Sequence, residues 1–211
     1  MTADVEKHGR DESEQSELLA LVEARFAKSM SQPEAFFAAE AGRIAEACWA
    51  MARRFHQGGR LLAFGNGASA TDAQHVAVEF VHPVIVGKRA LPALALTNDS
   101  ATLSGLMASG DATASFAHQL RVLARPQDIA IGFSTGGNGD DIMSALVAAK
   151  EMGLLTLGLL SDDGELPQQQ PEYCFVVPSQ DPLLIQEIHE TLYHILWELV
   201  HIYFEHEGLL Q

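Results

Sequence analysis

The chain has 211 residues, 47% of them hydrophobic, enough for one sizeable core with peripheral helices. Lys and Arg number 13 against 28 Asp and Glu, a formal net charge of −15. That balance excludes a generic nucleic-acid or anionic-membrane binder, because neutralising phosphates needs clustered basic residues, but it leaves room for a small anionic ligand held by a few backbone N–H groups.

Residues 1–13 are polar and acidic and are expected to be disordered, with a single domain over 14–211. The N-terminus lacks the apolar centre of a signal peptide, and no apolar run reaches the ~20 residues of a membrane span. A cytoplasmic protein is expected. Leu18, Leu19, Leu21, Val22 and Phe26 fit a helix over 16–30. Ser31-Gln32-Pro33 is expected to break it, and a second helix over 33–56 carries Ile44, Ala45, Cys48, Met51 and Phe55 on one face. Gln57-Gly58-Gly59 ends that helix.

Apolar runs then alternate with helical patterns. Strands are predicted over 60–65, 91–96, 128–133, 154–160 and 174–178. Helices are predicted over 70–81, 99–108, 113–124, 140–152 and 182–205. Continuous apolar strands between helices indicate an α/β fold, a parallel sheet covered on both faces. The two cysteines, Cys48 and Cys174, fall in a helix and a strand with no metal-ligand spacing, which reads as two core thiols.

Four features carry chemistry. Gly65-Asn66-Gly67-Ala68-Ser69 joins a strand to a helix, where an open parallel sheet binds ligands. Its glycines permit close backbone approach to an anion, and Ser69 sits at a helix N-terminus that favours phosphate; the alternative is an ordinary glycine turn with Ser69 as cap. Ser134-Thr135-Gly136-Gly137-Asn138-Gly139 repeats that arrangement after another strand. His75 and Glu79, four apart, share a helix face, with Cβ atoms ~5–6 Å apart. They suit a shared metal, an acid–base pair or a surface pair. The last helix carries Gln186, Glu187, His189, Glu190, His194, Glu198 and His201; its pattern alone does not separate a catalytic residue from a solvated one.

Together, FGNGASATDAQHVAVEF, LPALALTND, GDATASFAHQL, DIAIGFSTGGN and IQEIHETLYHILWELV resemble the sugar-isomerase (SIS) domain family, specifically its sedoheptulose-7-phosphate isomerases, over about residues 35–205. The resemblance implies a five-stranded parallel sheet between helices, with N-terminal helices and a long C-terminal helix. It implies a homotetramer with sites at subunit interfaces. It implies an aldose–ketose isomerase acting on a phosphorylated sugar, with Glu79 and His194 as the acid–base pair. It places Asn66, Gly67, Ser69, Ser134, Thr135 and Asn138 at the substrate phosphate, and His75, Glu79, Gln186 and His194 on the zinc ligands of metal-containing members. Gln186 and His194 are ~12 Å apart along one helix, so a site using both is expected to draw on more than one chain. The second loop departs from the usual STSGNS, lacking hydroxyls at Gly136 and Gly139, and His82-Pro83 stands where an arginine is usual. The alternative is a non-catalytic phosphosugar-binding adaptor or regulator that resembles the replication-initiator-associated SIS protein.

Overall fold

The computed structural model describes residues 12–110, 114–136, 139–162, 169–206 and 208. The chain divides into two compact units, Met1–Ala38 and Ala39–Gln211. Their boundary falls inside the first helix, α1 (Glu12–His56). In the first unit, residues 12–38 are helical; residues 1–11, most of the stretch expected to be disordered, lie outside the described residues.

The break expected at Ser31-Gln32-Pro33 does not occur: α1 runs through Pro33 without interruption. An internal proline removes one hydrogen bond and crowds the carbonyl four residues back, a cost of about 3 kcal/mol. Alanine-, glutamate- and leucine-rich segments flank it, and no glycine occurs between Glu12 and Ala41. Their propensity sustains helix on both sides, and the proline is tolerated in between.

The second unit is built on a parallel sheet of β1 (Leu61–Gly65), β2 (Ala93–Ala95), β3 (Ile129–Phe133), β4 (Leu155–Ser161) and β5 (Tyr173–Val177), in the order β2-β1-β3-β4-β5. β1, β3 and β4 are buried along their whole length, as their unbroken apolar runs require. β2 is shorter than its run LPALAL, although Leu61 N–H still donates to the Pro92 carbonyl and Leu96 N–H to that of Ala63. Its proline is tolerated because β2 is an edge strand.

Helices α2 (Ala68–Val81), α3 (Ser100–Ala108), α4 (Ser115–Leu123), α5 (Asp140–Glu151) and α6 (Pro182–Glu205) complete the order. Leu62, Phe64 and Ala130 form one buried cluster with Phe116 and Leu120 of α4 and Ile142 and Leu146 of α5. Phe133, of opposite parity on β3, meets the rings of His189 and Tyr193 on α6 instead. On α6, the Asp181 carboxylate accepts from Leu183 N–H at 3.1 Å and Leu184 N–H at 3.4 Å, with proline in the first turn. Both cysteines are buried. Burial pushes the Cys48 thiol up to about 12 and raises that of Cys174, as expected of inert core thiols. Among the described residues, no helix is long and apolar enough to cross a membrane.

Candidate active site

Strand order reverses direction between β1 and β3, so a crevice opens beyond their carboxyl ends. The two glycine loops lie there. Gly67 takes φ +55°, a left-handed conformation that favours glycine. At Gly65 an added Cβ would lie 2.6 Å from the Ser69 carbonyl oxygen, so only glycine lets α2 begin this close to the strand. Asn66 and Gly67 are exposed at the tip, whereas Ser69 is buried beneath it. The Asn66 side-chain amide donates to the Asp141 carboxylate at 2.6 Å, tying the first loop to the first turn of α5. Ser134 and Thr135 are half-buried. Thr135 lines a cleft of about 340 Å³ with Gly136, Ser161, Ser179, Gln180 and Ile185. Asn138 lies outside the described residues.

Helices α2 and α6 lie side by side. Contacts of Asp72 with Gln186, His75 with Tyr193 and Glu79 with Trp197 advance together along both, so the two run in the same direction. This alignment gathers the titratable groups. Glu79 Oε1 is 3.6 Å from Nε2 of His75 and 3.5 Å from Nε2 of His194. The His75 and His194 rings meet edge to face at 5.2 Å. On the other side of His75, Nδ1 is 2.7 Å from the Tyr193 hydroxyl and 3.6 Å from Glu190 Oε1. The indole N–H of Trp197 donates to the Glu79 carbonyl at 2.9 Å, pinning the helices together.

Of the expected residues, His75, Glu79 and His194 therefore converge, and they do so within one chain. Gln186 stands two turns earlier. Its amide N–H group reaches both Asp72 carboxylate oxygens at 3.2 Å and the Ala68 carbonyl at 3.3 Å. His189 and His201 are buried in the interior.

Three neighbours escape the spacing argument. Asp72 is 4% exposed, and burial pushes its carboxyl up to about 6 while the Gln186 hydrogen bond pulls it down. Tyr193 is 1% exposed; burial raises its phenol, and so do the charges of Glu190, Asp72 and Glu79, which keeps it protonated. Glu190 completes a set with His75 and His194 whose donor atoms all lie within 4.8 Å of one another. Two ligands on one tetrahedral zinc at ~2.0–2.2 Å stand ~3.4 Å apart. The 3.5 and 3.6 Å separations around Glu79 match that edge and the donor types suit zinc, although the three donors that lie mutually within 4.8 Å are those of His75, Glu190 and His194.

The SIS domain family model matches residues 26–161. The chain is 40% identical to the phosphoheptose isomerase of Thermodesulfovibrio yellowstonii over 175 residues, 83% of this chain and 87% of that protein. Among solved structures, the phosphoheptose isomerase of Neisseria gonorrhoeae is similar with a TM-score of 0.76 and 30% identity, covering 87% of this chain and 98% of that one. A phosphoheptose isomerase from Francisella tularensis is similar with a TM-score of 0.77 and 29% identity, covering 86% and 97%.

Proposed function

The chain belongs to the SIS-domain family, and on that premise we propose that it is an aldose–ketose isomerase of sugar phosphates, with sedoheptulose 7-phosphate or a related phosphosugar as substrate. The observation that carries this reading is the Glu79 carboxylate lying 3.6 Å from one imidazole nitrogen, of His75, and 3.5 Å from another, of His194.

Interconversion of a ketose and an aldose moves one proton between neighbouring carbons and one between their oxygens, through an enediol. Glu79 takes the proton from the carbon beside the carbonyl and returns it to the former carbonyl carbon. His194 gives a proton to the carbonyl oxygen as the enediol forms and accepts the neighbouring hydroxyl proton as the new carbonyl forms. Positioned groups of this kind contribute ~10²–10⁴-fold each. Asp72, held near 6, is a further group able to exchange a proton close to neutral pH. The phosphate is assigned to the loops after β1 and β3, with Asn66, Gly67, Ser69, Ser134, Thr135 and Asn138 as its contacts. His75, Glu79 and His194 are the residues that would hold zinc, with Gln186 as the further donor that the family resemblance adds, and while Glu79 and His194 ligate it they do not act as the base and acid described above. Zinc bound there supplies a Lewis acid that polarises the substrate carbonyl. The working unit is assigned as a homotetramer.

The test is incubation of the purified protein with sedoheptulose 7-phosphate and other five- to seven-carbon phosphosugars in D₂O. Expected is conversion of one of them to its aldose or ketose isomer with deuterium entering at the exchanged carbon. Binding without turnover of any of them would support the adaptor reading instead.

A further inference from the structure

We propose that Tyr193 and Glu190 are positioning residues that hold the His75 imidazole with its proton on Nδ1, so that Nε2 turns a lone pair towards Glu79 and His194. The inference rests on reading His75 as part of the reaction centre. The side chain of His75 is 41% exposed, so close packing alone does not fix its ring. What it meets on the Nδ1 side is directional. The Tyr193 hydroxyl lies 2.7 Å away, and Glu190 Oε1 lies 3.6 Å away.

Tyr193 is a rigid anchor for such a contact. Only 1% of it is exposed, and its ring packs edge-on against Phe133, with centroids 6.0 Å apart. Two arrangements satisfy the short contact. In one, Nδ1–H donates to the phenol oxygen, and the phenol proton points away from the imidazole. In the other, the phenol donates to Nδ1, and the imidazole proton moves to Nε2.

Ligation decides between them. The first sets the Nδ1–H on the side where Glu190 Oε1 also lies and leaves Nε2 unprotonated, while the charges of Glu190, Asp72 and Glu79 oppose loss of the phenol proton. The second puts a proton on Nε2, which faces Glu79 at 3.6 Å, the same separation as Nδ1 from Glu190, so the carboxylates alone do not choose between the two. The second would block ligation at that nitrogen. A histidine that binds a metal through one nitrogen commonly donates the other N–H to a carboxylate or carbonyl, which fixes tautomer and orientation.

The experiment compares wild-type protein with Tyr193→Phe, Glu190→Gln and the double variant. The first readout is the ¹⁵N spectrum of the imidazoles in metal-free protein at mildly alkaline pH, with the His75 signals identified by their loss in His75→Gln. Expected is the Nδ1–H tautomer in the wild type and a mixture of tautomers in the double variant, with unchanged thermal unfolding. The second is zinc affinity by competition with a chromophoric chelator. Expected is ~10–100-fold weaker binding in the double variant. An Nε2–H tautomer in the wild type, or a tautomer and a zinc affinity that the substitutions leave unmoved, overturns the inference. Wild-type protein that takes up no zinc refutes the metal reading alone, and the tautomer measurement still decides this one.

Discussion

The Glu79 carboxylate stands 3.5 Å from Nε2 of His194, although the two belong to helices at opposite ends of the second unit's sequence. If the pair moves the protons of an isomerisation, Glu79→Gln and His194→Ala each lower kcat by at least ~100-fold. Groups acting as a unit are not additive, so the double variant falls little below the weaker single one. Steady-state kinetics with circular dichroism as a folding control checks this. Full activity in Glu79→Gln would remove Glu79 from the chemistry.

The Asn66–Asp141 hydrogen bond leads to a second expectation. Asp140 and Asp141 both sit in the first turn of α5, where they favour the helix dipole. The same two charges stand beside the loop assigned to the substrate phosphate and repel it. Asp141→Asn keeps a side chain able to pair with Asn66 and removes one of the charges. It is expected to lower KM severalfold with kcat little changed, whereas Ser69→Ala with Ser134→Ala raises KM. A higher KM in Asp141→Asn would place the phosphate elsewhere.

Two buried groups shift stability in opposite directions with pH. Burial lifts the Asp72 carboxyl from 3.8 to about 6, so the stability it contributes is full below 3.8 and is lost as pH rises through 6. Burial pushes the His189 imidazole down from 6.5 to about 4, so its contribution is full above 6.5 and is lost as pH falls through 4. Between pH 4 and 6 the two slopes oppose each other. Asp72→Asn is expected to be more stable than the wild type at neutral pH, by on the order of a few kcal/mol, and to lose stability steeply on acidification because His189 then acts alone. Neither nitrogen of His189 makes a hydrogen bond of normal geometry, although the nearby Leu160 carbonyl opposes the downward shift. His189→Leu is therefore expected to flatten the acid side of the profile and to stabilise the protein at neutral pH. Urea unfolding from pH 4 to 8 measures both. Parallel profiles for all three proteins would refute the assignment.

The sheet was legible because each central strand is an unbroken apolar run, and its neighbours in sequence carry helical periodicity. Pro33 misled because the rule for an internal proline is a cost and not a prohibition, and the flanking helix formers outweigh it. His75 and Glu79 were legible from their spacing on one helix. His189 and His194, both on α6, could not be told apart that way. Five residues correspond to ~140° around a helix, and only the placement of α6 turns His189 into the interior and His194 towards Glu79. Asp72 and Tyr193 had no local signal at all, and Glu190 could not be separated from the solvated residues of its helix. Each acquires its role from a partner more than a hundred residues away, through the side-by-side course of α2 and α6 that no periodicity encodes.

The last expectation concerns assembly. In the first unit Leu18, Leu19, Leu21, Val22, Phe26 and Met30 are all exposed, by between 46% and 67%. Leu19, Val22, Phe26 and Met30 follow the three- and four-residue spacing of one helix face. A contiguous apolar face of this kind marks an interaction surface, and a second copy of the chain presents the same face in return. Replacing Val22 and Phe26 together by glutamate is expected to give a smaller species by light scattering and sedimentation. The Glu79–His194 pair lies within one chain and does not depend on assembly for its geometry. Mixing Glu79→Gln chains with His194→Ala chains after dissociation and reassembly is therefore expected to restore no activity, because each chain keeps its own defect. Recovered activity would show that the working pair forms across subunits, with the Glu79 of one chain facing the His194 of another. An unchanged size in the glutamate variant would assign the apolar face a role other than self-association.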